Sequence, residues 1–156
     1  MSSWTYVQGL IEVRAPGRTQ AEKDYIMKTV IDHLPKVTGS EYDMNIYTIL
    51  ANGHSHWSNH DELDHLNWGF KTQSKYFLVL DGSLRDRHYE DTLKELNKFL
   101  NRLAKRLPVH SMYVQVYTYD RSHIRTFTNE NDYYGKMFES EHPWYKYLMW
   151  KWEDDD

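Results

Sequence analysis

Tyr89-Glu-Asp-Thr-Leu93-Lys-Glu-Leu96-Asn-Lys-Phe-Leu100-Asn-Arg-Leu103-Ala-Lys-Arg-Leu107 is the stretch that decides the fold. Its large apolar residues recur at alternating steps of four and three, the spacing that lines one side of a helix. A strand-like run precedes it, Lys75-Tyr-Phe-Leu-Val-Leu80, and another follows, His110-Ser-Met-Tyr-Val-Gln-Val-Tyr-Thr-Tyr119. Pro108 separates the helix from the second run.

The same order occurs earlier in the chain. Trp4 to Val13 alternates loosely and reads as a first strand, with Gly9 as a site for a bulge and Pro16-Gly17 as its end. Thr19-Gln-Ala-Glu22 fits a capping box, and Ile26, Met27, Val30, Ile31 and Leu34 supply the apolar side of a first helix. Leu34-Pro35 stops it, because the residue before proline disfavours the helical region. Met44 to Leu50 reads as a second strand, and Asn52-Gly53 is a turn signal. Between His54 and Gln73 lies a connection too long for a tight hairpin loop, a length that often accompanies function or a local irregular lobe.

The resulting order, β-α-β-β-α-β, predicts an α+β protein with a ferredoxin-like sandwich: one antiparallel sheet with two helices on one face. Residues 1–120 form this domain. Residues 121–156 change character, with Tyr133, Tyr134, Phe138, Trp144, Tyr145, Tyr147, Trp150 and Trp152, and are too aromatic for a disordered linker. They read as an aromatic C-terminal extension packed on the domain or on a neighbouring subunit, with His142-Pro143-Trp144 able to open a short helix.

Composition narrows the function classes. A chain of 156 residues suits one domain, and 40% hydrophobic residues can build a core. With 19 basic against 23 acidic residues, a general nucleic-acid coat protein is disfavoured. There is no cysteine, which excludes disulfides, thiolate metal sites and a Cys nucleophile. No signal peptide and no membrane-length apolar run is evident, so a soluble intracellular protein is expected.

The aromatic share, 15%, is high enough to ask where these rings go. On the fourth predicted strand Met112, Val114 and Val116 point one way, and Tyr113, Gln115, Tyr117 and Tyr119 the other. The first strand adds Trp4, Tyr6 and Gln8 to that second side, and the second strand adds Tyr47. Tyr6, Tyr47, Tyr113 and Tyr117 therefore form a predicted partner or stacking surface on the face away from the helices. Burying one aromatic is worth about 2–3 kcal/mol, which favours cover by the tail, a second subunit or a ligand.

Three other segments carry possible chemistry. His54-Ser-His56-Trp-Ser-Asn-His60-Asp-Glu-Leu-Asp64-His65 gathers imidazoles and carboxylates, which suit a transition metal. His54, His56, His60 and His65 are the candidate ligands, and a metal-bound water there would allow hydrolysis; the alternative is a polar loop rich in His. Asp81-Gly-Ser-Leu-Arg85-Asp-Arg87-His88 reads as a turn opening the second helix. Ser83, Arg85 and Arg87 beside a helix N-terminus suit phosphate, a nucleotide or a partner's carboxylate. The alternative is an internal ion-pair cluster. Lys94, Lys98, Arg102 and Lys105 form a basic stripe on the second helix that reads as a solvated face; nucleic-acid binding through it is not expected. No complete catalytic motif is present.

Trp4-Thr-Tyr-Val-Gln-Gly-Leu-Ile-Glu-Val, Gly17-Arg-Thr-Gln-Ala-Glu, His33-Leu-Pro-Lys-Val-Thr-Gly-Ser-Glu41 and Asp81-Gly-Ser-Leu-Arg-Asp-Arg87 together resemble a family of small proteins encoded by bacteriophages. The resemblance covers residues 4 to 120 and implies a ferredoxin-like fold and the cytoplasm of an infected bacterium. It lends no established activity and no catalytic residues, and no cofactor is expected other than a transition metal at the His-rich loop. The expectation that follows is an accessory protein acting by binding, as an antagonist of a bacterial defence system that engages a host or phage protein or a nucleotide signal. The competing expectations are a metal-dependent hydrolase built on the His-rich loop and a structural protein that oligomerises through its sheet face.

Overall fold

A computed structural model of the chain describes residues 3–51 and 72–128. In chain order these form β1 (Trp4–Gly17), α1 (Gln20–Asp32), β2 (Asn45–Leu50), β3 (Thr72–Arg85), α2 (Tyr89–Arg106), β4 (Val109–Tyr117) and β5 (Ser122–Thr128). The protein is α+β. Its five strands make one antiparallel sheet in the order β2-β3-β1-β4-β5. That order is compatible with the ferredoxin-like arrangement expected from the sequence.

Each helix forms where its local chemistry permits. Thr19 caps α1 by accepting the Glu22 N–H at 3.1 Å, and Glu22 reaches back to the Arg18 N–H at 3.3 Å. The box thus closes one residue upstream of its usual partner. α2 has no side-chain cap from His88. It carries Glu90 and Asp91 in its first turn and Lys105 and Arg106 in its last, a charge order that suits the helix dipole. The basic stripe Lys94, Lys98, Arg102 and Lys105 is exposed, as a solvated face should be.

The core follows from two periodicities meeting. α2 buries Tyr89, Thr92, Leu96, Phe99, Leu100, Leu103 and Ala104, one side of the helix. β1 presents Val7, Ile11, Val13 and Ala15 to that same cluster, β3 presents Leu78, Leu80 and Leu84, and β4 presents Met112, Val114 and Val116. From α1, Met27 is buried, and Ile26, Val30 and Ile31 pack partly buried against the cluster. Both helices therefore cover one face of the sheet.

Three features differ from the sequence reading. Asp81-Gly82-Ser83 is not a turn: β3 runs unbroken to Arg85 and stays paired with β1 as far as Trp4↔Arg85. Gly82 faces the core, where a Cβ would lie 3.3 Å from the Met44 side chain. Its small size serves close packing and not chain reversal. The reversal comes at Asp86, whose φ of 56° is left-handed. The second difference is β5, which lies beyond Asp120, where the domain was expected to end. It pairs along β4 from Ser111↔Thr128 to Tyr117↔Ser122. Buried His123 holds it, with Nδ1 2.6 Å from the Tyr89 hydroxyl, which itself donates to the Val116 carbonyl at 2.9 Å. The β1–β4 register shift falls between Glu12 and Val13, not at Gly9.

A polar network ties α1 to the sheet. The Tyr76 hydroxyl donates to Asp24 Oδ1 at 2.5 Å, and Gln20 Nε2 donates to the same oxygen at 2.9 Å. The Tyr76 bond, then the Gln20 bond, holds the Asp24 carboxyl below its usual range. Burial, then the bond to Asp24, pushes the Tyr76 phenol well above its usual range. Stabilisation from Asp24 is present above the unfolded carboxylate value, about 4, and is lost as pH falls through the lower folded value. Stabilisation from Tyr76 is present below about 10 and is lost as pH rises through the higher folded value.

Two outcomes follow. Phe99→Ala should cost about 3–5 kcal/mol in denaturant unfolding, whereas Lys98→Ala should stay within about 0.5 kcal/mol. Tyr76→Phe should lower stability at neutral pH by about 1 kcal/mol. It should also flatten the loss of stability between neutral and strongly alkaline pH. Unchanged alkaline curvature in the variant would contradict the role given to this phenol.

Candidate functional site: the open face of the sheet

The face away from the helices is built by residues of the other parity. Strand register sorts them into rows. Ser83, Tyr6, Tyr117 and Ser122 form one row, and Asn45, Asp81, Gln8, Gln115 and Ile124 the next. The third row is Tyr47, Val79, Leu10 and Tyr113, which crosses β2, β3, β1 and β4. In that row Tyr47 is 53% exposed, Leu10 48% and Tyr113 45%. A Leu and two Tyr in register, all about half open to solvent, make a contiguous apolar band, not isolated surface residues.

Two glutamines of the polar row beside the band are hydrogen-bonded. Gln8 Nε2 donates to Gln115 Oε1 at 2.9 Å, and Gln115 Nε2 donates to Ser122 Oγ at 3.1 Å. Next to it the aromatics stack. Tyr6 and Tyr117 lie 5.1 Å apart at 25°, and Trp4 and Tyr6 lie 6.4 Å apart at 11°. The Arg85 guanidinium sits 6.0 Å from the centre of the Trp4 ring.

Tyr6, Tyr47, Tyr113 and Tyr117 share this face, and Ser83 and Arg85 join them through β3. Arg87 lies past the Asp86 reversal and leaves the sheet. Its carbonyl accepts from Thr5 Oγ1 at 3.2 Å, and its Nε is buried with no hydrogen-bond partner among the described residues. Arg85 is held by Glu41 at 2.5 Å and by Asp86 at 3.6 Å. His54, His56, His60 and His65 lie outside the described residues, as does the chain from 129 onward. Among the described residues no group of three or more His, Asp or Glu is placed to hold a metal, and no helix is long and apolar enough to cross a membrane.

The loop Thr38–Glu41 touches both α2 and the end of β3. Thr38 donates its N–H to Glu95 Oε2 at 2.7 Å and its hydroxyl to Glu95 Oε1 at 2.9 Å. Ser40 N–H donates to the Arg85 carbonyl at 3.1 Å. A Cβ at Gly39 would lie 2.6 Å from the Tyr42 carbonyl oxygen and 3.1 Å from Leu84 Cα, so only glycine fits. Thr38 to Glu41 thus clasps α2 and the end of β3, and its Glu41 fixes Arg85 at the margin of the open face.

One group on this face was missed by the sequence reading. Glu12 is 7% exposed and Arg14 5%, although both have the parity of Tyr6 and Leu10. Lys75 Nζ lies 3.2 Å from Glu12 Oε1, His110 Nε2 lies 3.5 Å from Oε2, and Arg14 Nη2 lies 3.8 Å from Oε2. The available signal was the Glu12-x-Arg14 spacing within an open-face strand. Its partners come from β3 and β4, which the local sequence does not reveal.

In comparisons with family models, curated proteins and solved structures, none matches this chain.

Glu12→Gln removes the carboxylate that faces Lys75, His110 and Arg14. It should cost about 2–3 kcal/mol in chemical unfolding, less than a fully enclosed ion pair because Lys75 reaches solvent. A loss under about 0.5 kcal/mol would show that the charges compensate one another elsewhere.

Proposed function

We propose that this is a phage accessory protein that works by binding a protein partner through the open face of a ferredoxin-like sandwich extended by a fifth strand. The band Tyr47–Val79–Leu10–Tyr113 carries this reading. Exposed apolar surface in register across four strands is costly to leave in water, and it suits a flat, partly apolar partner surface. The stacked Trp4, Tyr6 and Tyr117 extend it with residues that supply rigid contact area. The resemblance of four segments between residues 4 and 120 to bacteriophage proteins supplies the setting, the cytoplasm of an infected bacterium. A host defence component is the partner class that setting favours.

A nucleotide signal held at Ser83, Arg85 and Arg87 is the second reading, favoured by an arginine lying over Trp4. It ranks lower because Arg85 already engages Glu41 and Asp86, so an incoming phosphate would have to displace two carboxylates. The metal-hydrolase reading rests on residues outside those described.

The test compares the wild type with Leu10→Thr/Tyr113→Thr, an uncharged strand-compatible pair at two exposed cross-strand partners, whose change should spare the fold. A host protein captured from infected cells should rebind the purified wild type directly. The double variant should keep its melting temperature and bind at least about tenfold more weakly. Equal binding by both proteins would place the interface elsewhere and overturn the reading.

A further inference from the structure

Beyond Glu95, α2 carries no acidic residue, yet it carries Lys98, Arg102, Lys105 and Arg106. Lys98, Arg102 and Arg106 fall at four-residue steps and are exposed, a row about 12 Å long. Like charges at that spacing repel one another. Lys105 and Arg106 sit in the last turn, where a cation suits the helix dipole; Lys98 and Arg102 lie before it, where that benefit has faded. Among the described residues Lys98, Arg102 and Arg106 have no ion-pair partner. Each step of four residues turns the row about 40° round the helix. Arg102 and Arg106 thereby come round to α1, where they line a groove of about 260 Å³ with Thr29, Val30, His33 and Leu34. Leu34 is buried and Val30 partly buried, so the floor of the groove is apolar. No carboxylate of the described residues lines it; Asp24 and Asp32 of α1 line a separate cleft on the side of β2. His33 Nδ1 lies 2.7 Å from the Thr29 carbonyl oxygen, which can only accept, so Nδ1 carries the proton and Nε2 is the ring atom left to meet a ligand.

We infer that this groove and the cation row beside it dock an acidic protein segment that also carries apolar side chains. The charge sets the sign of the partner: three cations without ion-pair partners, beside a groove with no carboxylate, call for carboxylates. The floor sets its class. Val30 and Leu34 lie beside Arg102 and Arg106 and suit aliphatic side chains, which a peptide brings and a phosphodiester backbone does not. At about 260 Å³ the groove is also smaller than ordinary small-ligand pockets. An acidic helix laid along α2 repeats its side chains every four residues, about 6 Å, so its carboxylates meet Lys98, Arg102 and Arg106 in step. This surface belongs to the helix layer and not to the open sheet face, so the inference does not rest on the open-face reading.

Fluorescence anisotropy of a labelled helical peptide, with Glu at every fourth position and Leu beside each Glu, tests it against the full chain. The wild type should bind this peptide, and more weakly as salt rises. Lys98→Gln/Arg102→Gln should weaken binding about tenfold. It should not lower the melting temperature, because it removes like-charge neighbours and leaves the last turn of α2 intact. Lys28→Gln, on the β2 side of α1, should bind as the wild type does. So should Leu10→Thr/Tyr113→Thr, which separates this site from the open face. A peptide with Ser in place of each Leu should bind at least about fivefold more weakly. The inference falls if the Glu–Leu peptide does not bind, or if Lys98→Gln/Arg102→Gln binds it equally or melts lower. It falls too if Lys28→Gln or the open-face variant weakens binding as much, or if the Ser peptide, a DNA duplex or anionic vesicles bind as tightly.

Discussion

The structure depends on the alternation of β1, which must serve two environments at once. It is the middle strand of five and pairs along its length with β3 and along most of it with β4. Val7, Ile11, Val13 and Ala15 enter the helix-covered core, while Trp4, Tyr6, Gln8, Leu10 and Glu12 face the other way. Because the side-chain period of a strand is two, a slip of one residue would exchange these sets. It would expose several aliphatic side chains, each worth about 1.5–3 kcal/mol when buried, and force a carboxylate under α2. The burial of the core and the chemistry of the open face are therefore set by one register.

That coupling explains what sits at the margins. The Thr38–Glu41 loop binds Glu95 of α2 and the end of β3, so it locks the helix layer to the strand that carries Arg85 and Ser83. At the far side, Tyr89 at the start of α2 reaches the Val116 carbonyl and His123, and Arg121 lies 4.4 Å above the Tyr89 ring while pairing with Glu90. The first turn of α2 thus fastens β5 to the sheet. Polar groups at both ends of the layer hold the geometry in which the apolar band is presented.

Much of this was legible in the sequence, for physical reasons. The 4-3 spacing from Tyr89 to Leu107 and the alternation from Met112 to Tyr117 are local patterns, and local patterns survive folding. The Thr19–Glu22 cap was legible for the same reason. What was missed depends on contacts distant in sequence. Gly82 and Ser83 look like a turn until Met44 is seen packed over Gly82. β5 is mostly polar, and its one buried histidine makes sense only beside Tyr89. Glu12 and Arg14 look like solvent-facing charges until Lys75 and His110 arrive from neighbouring strands. For Arg85 the sequence left an anion site and an internal ion-pair cluster both open; its Asp86 partner lies beside it in the chain, whereas its Glu41 partner comes from a distant loop.

The most direct measurement of the central claim is side-chain footprinting of the full chain in solution by hydroxyl radicals, read residue by residue by mass spectrometry. One bare face and one helix-covered face should appear as strong labelling of Leu10, Tyr47 and Tyr113 beside protection of Leu78, Tyr76 and Phe99. Protection of Leu10 and Tyr113 to the level of Phe99 in the isolated protein would mean that the face is already covered, and would contradict the account.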